Sequence, residues 1–81
     1  MPSSLSSLAK PRYSDSYRFK LTEREFEVLT MIVEGKSNPE IASHLYLSLN
    51  TIKSHVNGIF NKLGVSDRVQ AAVFAVRNQL V

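Results

Sequence analysis

Polar side chains recur at helical spacing between residues 49 and 63, and they are the strongest candidates for binding chemistry in this sequence. Spacings of three and four residues bring side chains to one face of an α-helix. Their amide, hydroxyl and ammonium groups can hydrogen-bond the base edges of a nucleic acid, and an ammonium group can also pair with a phosphate. The positions are Asn50, Lys53, Ser54, Asn57 and Asn61.

The opposite side of the same segment is apolar, so a helix here can be held rigidly while its polar face meets a ligand. The predicted buried residues are Ile52, Val56, Ile59, Phe60 and Leu63. Ser48 is the expected N-cap, and Gly64 is the expected end of the helix. Gly58 interrupts the pattern at a cost of about 1 kcal/mol, which we expect the helix to tolerate. A helix of this kind fits a DNA major groove, which is about 12 Å wide.

A first helix is predicted upstream from its start signals. Thr22 and Glu25 form a capping box, in which each side chain binds the free backbone N–H of the other residue. Leu21 and Phe26 stand at the positions of a hydrophobic staple, which fixes how the chain enters the helix. Gly35 can adopt the left-handed conformation that ends the helix.

A second, shorter helix is predicted from Ser37, which forms another capping box with Glu40. Pro39 falls in the first turn, where it forfeits no helical hydrogen bond. We expect this helix to end near residue 45 or 46. The connection 46–48 then leads to the third helix, and two helices joined by so short a turn are typical of a helix-turn-helix.

A fourth helix is predicted after Gly64, with Ser66 as its N-cap. It carries an apolar stripe at Val69, Ala72, Val73 and Val76, continued by Leu80. The stripe either closes the core of the monomer or takes part in a two-fold dimer. We expect the dimer, because Phe74 and Ala75 supply apolar surface on the other side of the helix. With no strand pattern, the sequence predicts an all-α fold, a compact four-helix domain over residues 21–81.

Charge is distributed unevenly along the 81 residues. The net charge of +3 belongs to residues 1–20, which hold four basic residues against one acid, whereas residues 21–81 hold six of each. Six serines and two prolines in residues 1–20 predict a flexible, disordered basic arm or linker. Residues 41–66 contain no acid, so a surface built from them can approach phosphates without like-charge repulsion.

Several function classes lack support in the sequence. There is no cysteine, and His44 and His55 come from different predicted helices without a third ligand at ligand spacing, so we expect no metal and no other cofactor. No nucleophile–base pair or glycine-rich phosphate loop is visible, so we expect no enzyme. No segment reaches about 18 apolar residues. No signal-peptide run is visible either, so we expect a cytoplasmic chain without a membrane partner.

Four motifs, in order and with the expected spacing, resemble the LuxR-type (NarL/FixJ) DNA-binding domain of bacterial transcription regulators. They are Leu21-Thr22-Glu23-Arg24-Glu25, Ser37-Asn38-Pro39-Glu40-Ile41-Ala42, Thr51-Ile52-Lys53-Ser54-His55-Val56 and Lys62-Leu63-Gly64-Val65. The resemblance covers residues 21 to about 77. It implies a four-helix domain whose third helix, about 49–63, enters the major groove, and whose fourth helix supports dimerisation on inverted-repeat sites.

The resemblance also implies roles for individual residues. Lys53 matches the lysine that contacts bases, and Ser54 and Asn57 match neighbouring groove positions. Thr51 matches a position near phosphate, although it could instead cap its own helix. Further phosphate contacts are expected from Asn50, Lys36, Lys62 and Asn61. The alternative is an ordinary solvated surface for Lys53, Ser54, Asn57, Lys36 and Lys62. Asn57 and Pro39 stand where basic residues are frequent, so we expect a monomer to bind weakly.

The implied partners are double-stranded operator or promoter DNA, a second copy of the chain bound through the fourth helix, and RNA polymerase as a further candidate. The implied location is the bacterial cytoplasm, at the nucleoid. Members of the family usually carry a receiver or ligand-sensing domain upstream, so the chain is either a free-standing regulator or a fragment of a larger one. A rival function is a protein-interaction module that does not touch DNA, and the zero net charge of residues 21–81 favours it.

Overall fold

Four α-helices make up residues 19–81, the part of the chain that the computed structural model describes. They are α1 (Glu23–Val33), α2 (Asn38–Leu45), α3 (Leu49–Leu63) and α4 (Arg68–Arg77). No strand occurs among these described residues, and the predicted all-α four-helix class is confirmed. The predicted arm, residues 1–20, lies outside the described residues except for its last two positions.

Both predicted capping boxes are present, at the starts of α1 and α2. The Glu25 backbone N–H donates to Thr22 Oγ1 at 3.0 Å, and the Thr22 backbone N–H donates to Glu25 Oε1 at 2.9 Å. At α2, the Ser37 backbone N–H donates to Glu40 Oε1 at 2.8 Å, and the Glu40 N–H donates to Ser37 Oγ at 3.3 Å. Each box satisfies two backbone donors that a helix start leaves free, so these four residues determine where both helices begin.

The connection between α2 and α3 is the predicted three-residue turn, 46–48. Tyr46 ends α2 in the left-handed conformation, with φ of 58°, and the Leu47 N–H donates to the Ala42 carbonyl at 3.0 Å. Ser48 then caps α3, its hydroxyl accepting from the Thr51 N–H at 3.1 Å. The short turn keeps the two helices in contact, as a helix-turn-helix requires.

Helix α3 continues through Gly58 and ends at Gly64, as predicted. Gly64 has a φ of 71°, which is costly for a residue with a Cβ atom. The Val65 N–H donates to the Phe60 carbonyl at 3.0 Å, which closes the end of the helix.

The start of α4 differs from the prediction by one residue, because Asp67 and not Ser66 is the N-cap. The Asp67 carboxylate accepts from the Gln70 N–H at 2.8 Å, and Gln70 Oε1 accepts from the Ser66 N–H at 2.9 Å. Only this register gives the helix a Gln at its third position, where the side chain can reach back to a free donor. Ser66 would have placed Val69 there.

The core is apolar and draws on every helix. Its buried hydrophobic residues are Leu21, Val28, Leu29, Ile32, Ile41, Ala42, Ile52, Val56, Ile59, Leu63, Ala71, Ala75 and Leu80. Helix α1 packs against α3 and α4, and α2 packs against α3. None of the helices within residues 19–81 is long and apolar enough to cross a membrane.

Phe19 belongs to this packed region, although its sequence position falls within the predicted arm. It is partly buried against the core, and its ring meets the Phe74 ring edge-on, with centroids 5.1 Å apart and planes at 78°. Edge-to-face pairs of this kind add to the stabilisation from burial alone. The packed part of the chain therefore includes a residue upstream of the boundary predicted at residue 21.

Candidate nucleic-acid interface

Helix α3 is divided into a buried and an exposed face. Ile52 and Ile59 are fully buried, and burial of such a side chain contributes about 1.5–3 kcal/mol. Because α3 packs against α1, α2 and α4, the helix is held firmly from one side. Its other side is exposed to solvent at all five polar positions singled out from the sequence: Asn50, Lys53, Ser54, Asn57 and Asn61.

The N-terminus of α3 has no acidic side chain that would repel an anion. It has no acid in its first turn, unlike α1 and α2. The partial positive charge of a helix N-terminus attracts anions, phosphate among them. Thr51 is half-buried here, and its hydroxyl lies 2.8 Å from the hydroxyl of the N-cap, Ser48. This position is compatible with both predicted alternatives for Thr51, phosphate contact and capping.

The two lysines predicted to flank the polar face have different surroundings. Lys36 Nζ lies 3.2 Å from Glu34 Oε1 in an exposed ion pair, which is weak in water. Lys62 Nζ lies 2.6 Å from Glu25 Oε1, and Glu25 is only 7 % exposed. Lys36 can therefore exchange its partner at little cost, whereas Lys62 neutralises a carboxylate that is almost out of reach of water.

The Glu25 carboxylate is held in its charged form by its partners. Burial raises the pKa of Glu25, but the hydrogen bond and charge of Lys62, with the hydrogen bonds of Thr22, outweigh it and keep the pKa below its ordinary value. Oε2 of the same carboxylate faces Gly58, where a Cβ atom would lie 2.7 Å from it. A side chain at position 58 would therefore have to displace the Glu25 carboxylate.

Arg68 has a structural role that the sequence motifs did not indicate. Its Nη1 donates to Asn38 Oδ1 and its Nη2 to the Lys36 carbonyl, both at 2.6 Å. These bonds tie the start of α4 to the start of α2, and so steady the first helix of the helix-turn-helix. A signal existed in the sequence: an arginine in the first turn of a helix opposes the helix dipole, so it needs a compensating partner elsewhere.

Helix α4 turns its valines outward. Val69, Val73 and Val76 are 72 %, 48 % and 56 % exposed, and Ala72 is half-buried. The side facing the core consists of alanines, Ala71 and Ala75, which are fully buried. Of the two alternatives for the predicted stripe, closure of the monomer core is therefore wrong for the three valines. Val69 and Val73 line a shallow groove of about 440 Å³ beside α4.

The two histidines lie apart from any set of metal ligands. His44 is exposed on α2, and His55 is half-buried on α3. Across residues 19–81, no three histidine, aspartate or glutamate side chains are grouped so that they could hold a metal ion.

Comparison with known proteins identifies the same region of the chain. The family model described as bacterial regulatory proteins, luxR family, matches residues 20–75. The transcriptional regulatory protein LiaR of Bacillus subtilis is 54% identical over 61 residues, covering 75% of this chain. The response regulator protein VraR of Staphylococcus aureus is 48% identical over 61 residues. The chain spans 29% of the length of each of these relatives.

A solved structure has the same arrangement of helices. The response regulator ChrA, from a heme-sensing two-component system, superposes with a TM-score of 0.73 and 34% sequence identity. The match covers 95% of this chain and 35% of ChrA. The similarity therefore concerns about a third of ChrA.

Proposed function

The chain belongs to the luxR family of bacterial regulatory proteins, a family of DNA-binding transcription regulators, and from this we propose how its helices recognise a DNA sequence. Helix α3 lies in the major groove with its polar face toward the bases. The observation that carries the proposal is the division of α3: four buried apolar residues hold it, five exposed polar residues face outward, and residues 41–66 contain no acid. A negatively charged groove meets no like charge on this surface.

The base contacts are assigned to the middle of the polar face. Lys53 donates to guanine O6 or N7, the most common partner of a basic side chain in the major groove. Asn57 is suited to a bidentate contact with adenine, and Ser54 can pair with any base that offers a donor or acceptor. All three side chains are exposed and form none of the side-chain hydrogen bonds or ion pairs found in the described structure.

The phosphate contacts are assigned around this face. Asn50 and Thr51 lie in the first turn of α3, where the helix dipole favours an anion. Asn61 lies near the other end, and Lys36 reaches from the start of α2, where only an exposed ion pair would have to be exchanged. Contacts of this kind set the position of the domain on the duplex and make its affinity depend on salt.

Two copies are proposed to bind an inverted repeat through α4. Val69, Val73 and Val76 lie on one side of α4 with Ala72, and a two-fold axis can place this side against itself. Dimerisation compensates for weak monomer binding, which follows from zero net charge over residues 21–81 and from the absence of basic residues at Asn57 and Pro39. Half-sites are expected about one helical turn, roughly 10 bp, apart.

The setting of this activity is proposed from the relatives, of which the chain spans less than a third. We assign the chain to the bacterial cytoplasm at the nucleoid, with RNA polymerase as a candidate partner at the promoter. Whether a receiver domain precedes this domain does not alter the contacts assigned to α3.

Selection of duplexes from a random library, followed by binding of Lys53→Ala, tests the proposal. The variant is expected to bind its selected duplex about 1–3 kcal/mol more weakly and to lose preference at one base pair. The wild type is expected to lose affinity steeply as salt rises. If Lys53→Ala bound selected and random duplexes as the wild type does, α3 would not be the reader. Absence of any duplex binding at low salt would favour the protein-interaction module.

A further inference from the structure

We propose that Glu25, Gly58 and Lys62 form a junction that positions α3, and that Lys62 serves this junction and not the DNA backbone. The inference rests on the proposed function, because α3 is the helix assigned to the bases. It replaces the phosphate contact that the sequence predicts for Lys62. Glu25 and Lys62 are positioning residues, which act on the duplex through the placement of α3.

The junction uses both oxygens of one carboxylate. Glu25 Oε1 accepts from the Thr22 N–H at 2.9 Å and from Lys62 Nζ at 2.6 Å. Glu25 Oε2 faces the Gly58 Cα, where a side chain as small as alanine would place its Cβ at 2.7 Å. The carboxylate is thus fixed to the start of α1 by one bond and to α3 by an ion pair, and its second oxygen occupies the space that a Cβ atom at position 58 would need.

The junction meets α3 beside its polar face, so it can affect where the polar side chains lie. Gly58 and Lys62 are four residues apart on one side of the helix, and they directly follow Asn57 and Asn61. A change at the junction would rotate or lift α3 relative to α1, and with it the groups that meet the bases. Because hydrogen bonds to bases tolerate only small displacements, selectivity should suffer more than general attraction to phosphate.

The charge of Glu25 favours a structural role for Lys62 over contact with a DNA phosphate. If its ammonium group moved to a phosphate, the Glu25 carboxylate, 7 % exposed, would be left with only the Thr22 bonds. Leaving a buried carboxylate without its cationic partner is unfavourable, although the exposed side of Lys62 moderates the cost. Lys36 carries no such constraint, because its partner Glu34 is exposed. The structure therefore favours Lys36 and disfavours Lys62 as a phosphate contact.

The test measures binding to a selected duplex and to a shuffled duplex over a salt series. Lys62→Met and Glu25→Gln are each expected to reduce the ratio of the two affinities about tenfold, with the salt dependence unchanged. The double variant is expected to be no worse than either single variant, because both remove the same ion pair. Glu27→Gln is the matched control, since Glu27 lies on the same helix in an exposed pair with Arg24, and it should leave the ratio unchanged.

The same junction is tested without DNA by a stability cycle. Gly58→Ala is expected to lower the melting temperature, because the new Cβ displaces the Glu25 carboxylate. In a Glu25→Ala background the same change should raise the melting temperature, since alanine favours a helix over glycine once the space is free. If Gly58→Ala changed the melting temperature equally in both backgrounds, the proposed junction would be wrong.

The outcomes separate this inference from the proposed function. If Lys62→Met weakened binding to both duplexes equally and reduced the salt slope by about one, Lys62 would be a phosphate contact and the inference would be wrong. An unchanged affinity ratio in both single variants would likewise overturn it. A wild type that bound no duplex would instead overturn the proposed function, and the stability cycle would still decide whether the junction exists.

Discussion

Helices α3 and α4 both pack against the core, but α3 buries large apolar side chains and α4 buries small ones. Helix α3 places isoleucine, valine and leucine against the core and polar groups in solvent. Helix α4 places alanines against the core and leaves three valines in solvent. The buried alanines let the backbone of α4 approach α1 closely, and Leu80, just beyond the helix, is the large apolar residue buried at this end of the chain. Large apolar side chains thus anchor one helix and form the outer surface of the other.

The largest expected effect comes from truncating an anchor of α3. Ile59→Ala should lower the free energy of unfolding by about 2–5 kcal/mol, because Ile59 is fully buried and a cavity would remain. Val69→Ala on α4 is the control, and a change within about 0.5 kcal/mol is expected because Val69 is 72 % exposed. Urea unfolding followed by circular dichroism measures both. Equal losses in the two variants would show that the valines of α4 are packed in the folded monomer.

An intermediate loss of stability is expected when Glu25, which links α1 to α3 through its ion pair with Lys62, is substituted. Helix α4 has no such charged link at its buried residues, Ala71 and Ala75. Glu25→Gln keeps the side-chain length and an oxygen acceptor for the Thr22 N–H, but it removes the ion pair with Lys62. We expect a loss of about 1 kcal/mol at neutral pH, since Lys62 is partly in contact with water and screening weakens the pair.

The same change should alter how stability depends on pH. The pKa of Glu25 in the folded chain lies below its ordinary value of 4.5, so its contribution is fully present above that value and is lost as the pH falls through the folded pKa. In thermal melts from pH 7 down to pH 3, the difference between the wild type and Glu25→Gln should therefore shrink as the pH falls below 4.5. A constant difference across this range would show that charge does not hold α3 to α1.

Local signals in the sequence were sufficient to predict the four helices, because each cap is formed by residues three apart along the chain. The pairs Thr22 with Glu25 and Ser37 with Glu40 are examples. The choice between Ser66 and Asp67 was harder, since both are good N-caps and only the position of Gln70 separates them. The polar face of α3 could also be predicted, because its buried and exposed residues differ in polarity.

Interactions between distant segments could not be predicted in the same way. Lys62 and Glu25 are separated by 37 residues, and Arg68 and Asn38 by 30, so nothing local pairs them. The buried side of α4 was equally hidden, because valine and alanine are both apolar and hydrophobicity alone favours burial of the larger one. Alanine is buried instead because α4 lies close to α1, where a larger side chain would not fit. How close the two helices lie is a property of the whole fold.

The smallest effect on stability is expected from Val73→Glu, which sharpens the contrast between the two helices. Val73 is 48 % exposed and has no polar contact to lose, so the monomer should remain folded and its free energy of unfolding should change by about 0.5 kcal/mol or less. Two carboxylates brought together at a two-fold axis would repel each other, so dimerisation and binding to an inverted repeat should weaken while binding to one half-site persists. Sedimentation and titration of whole and half sites measure these quantities. A loss of helical signal would show that Val73 is packed in the core. Undiminished binding to the whole site would show that α4 does not form the dimer contact.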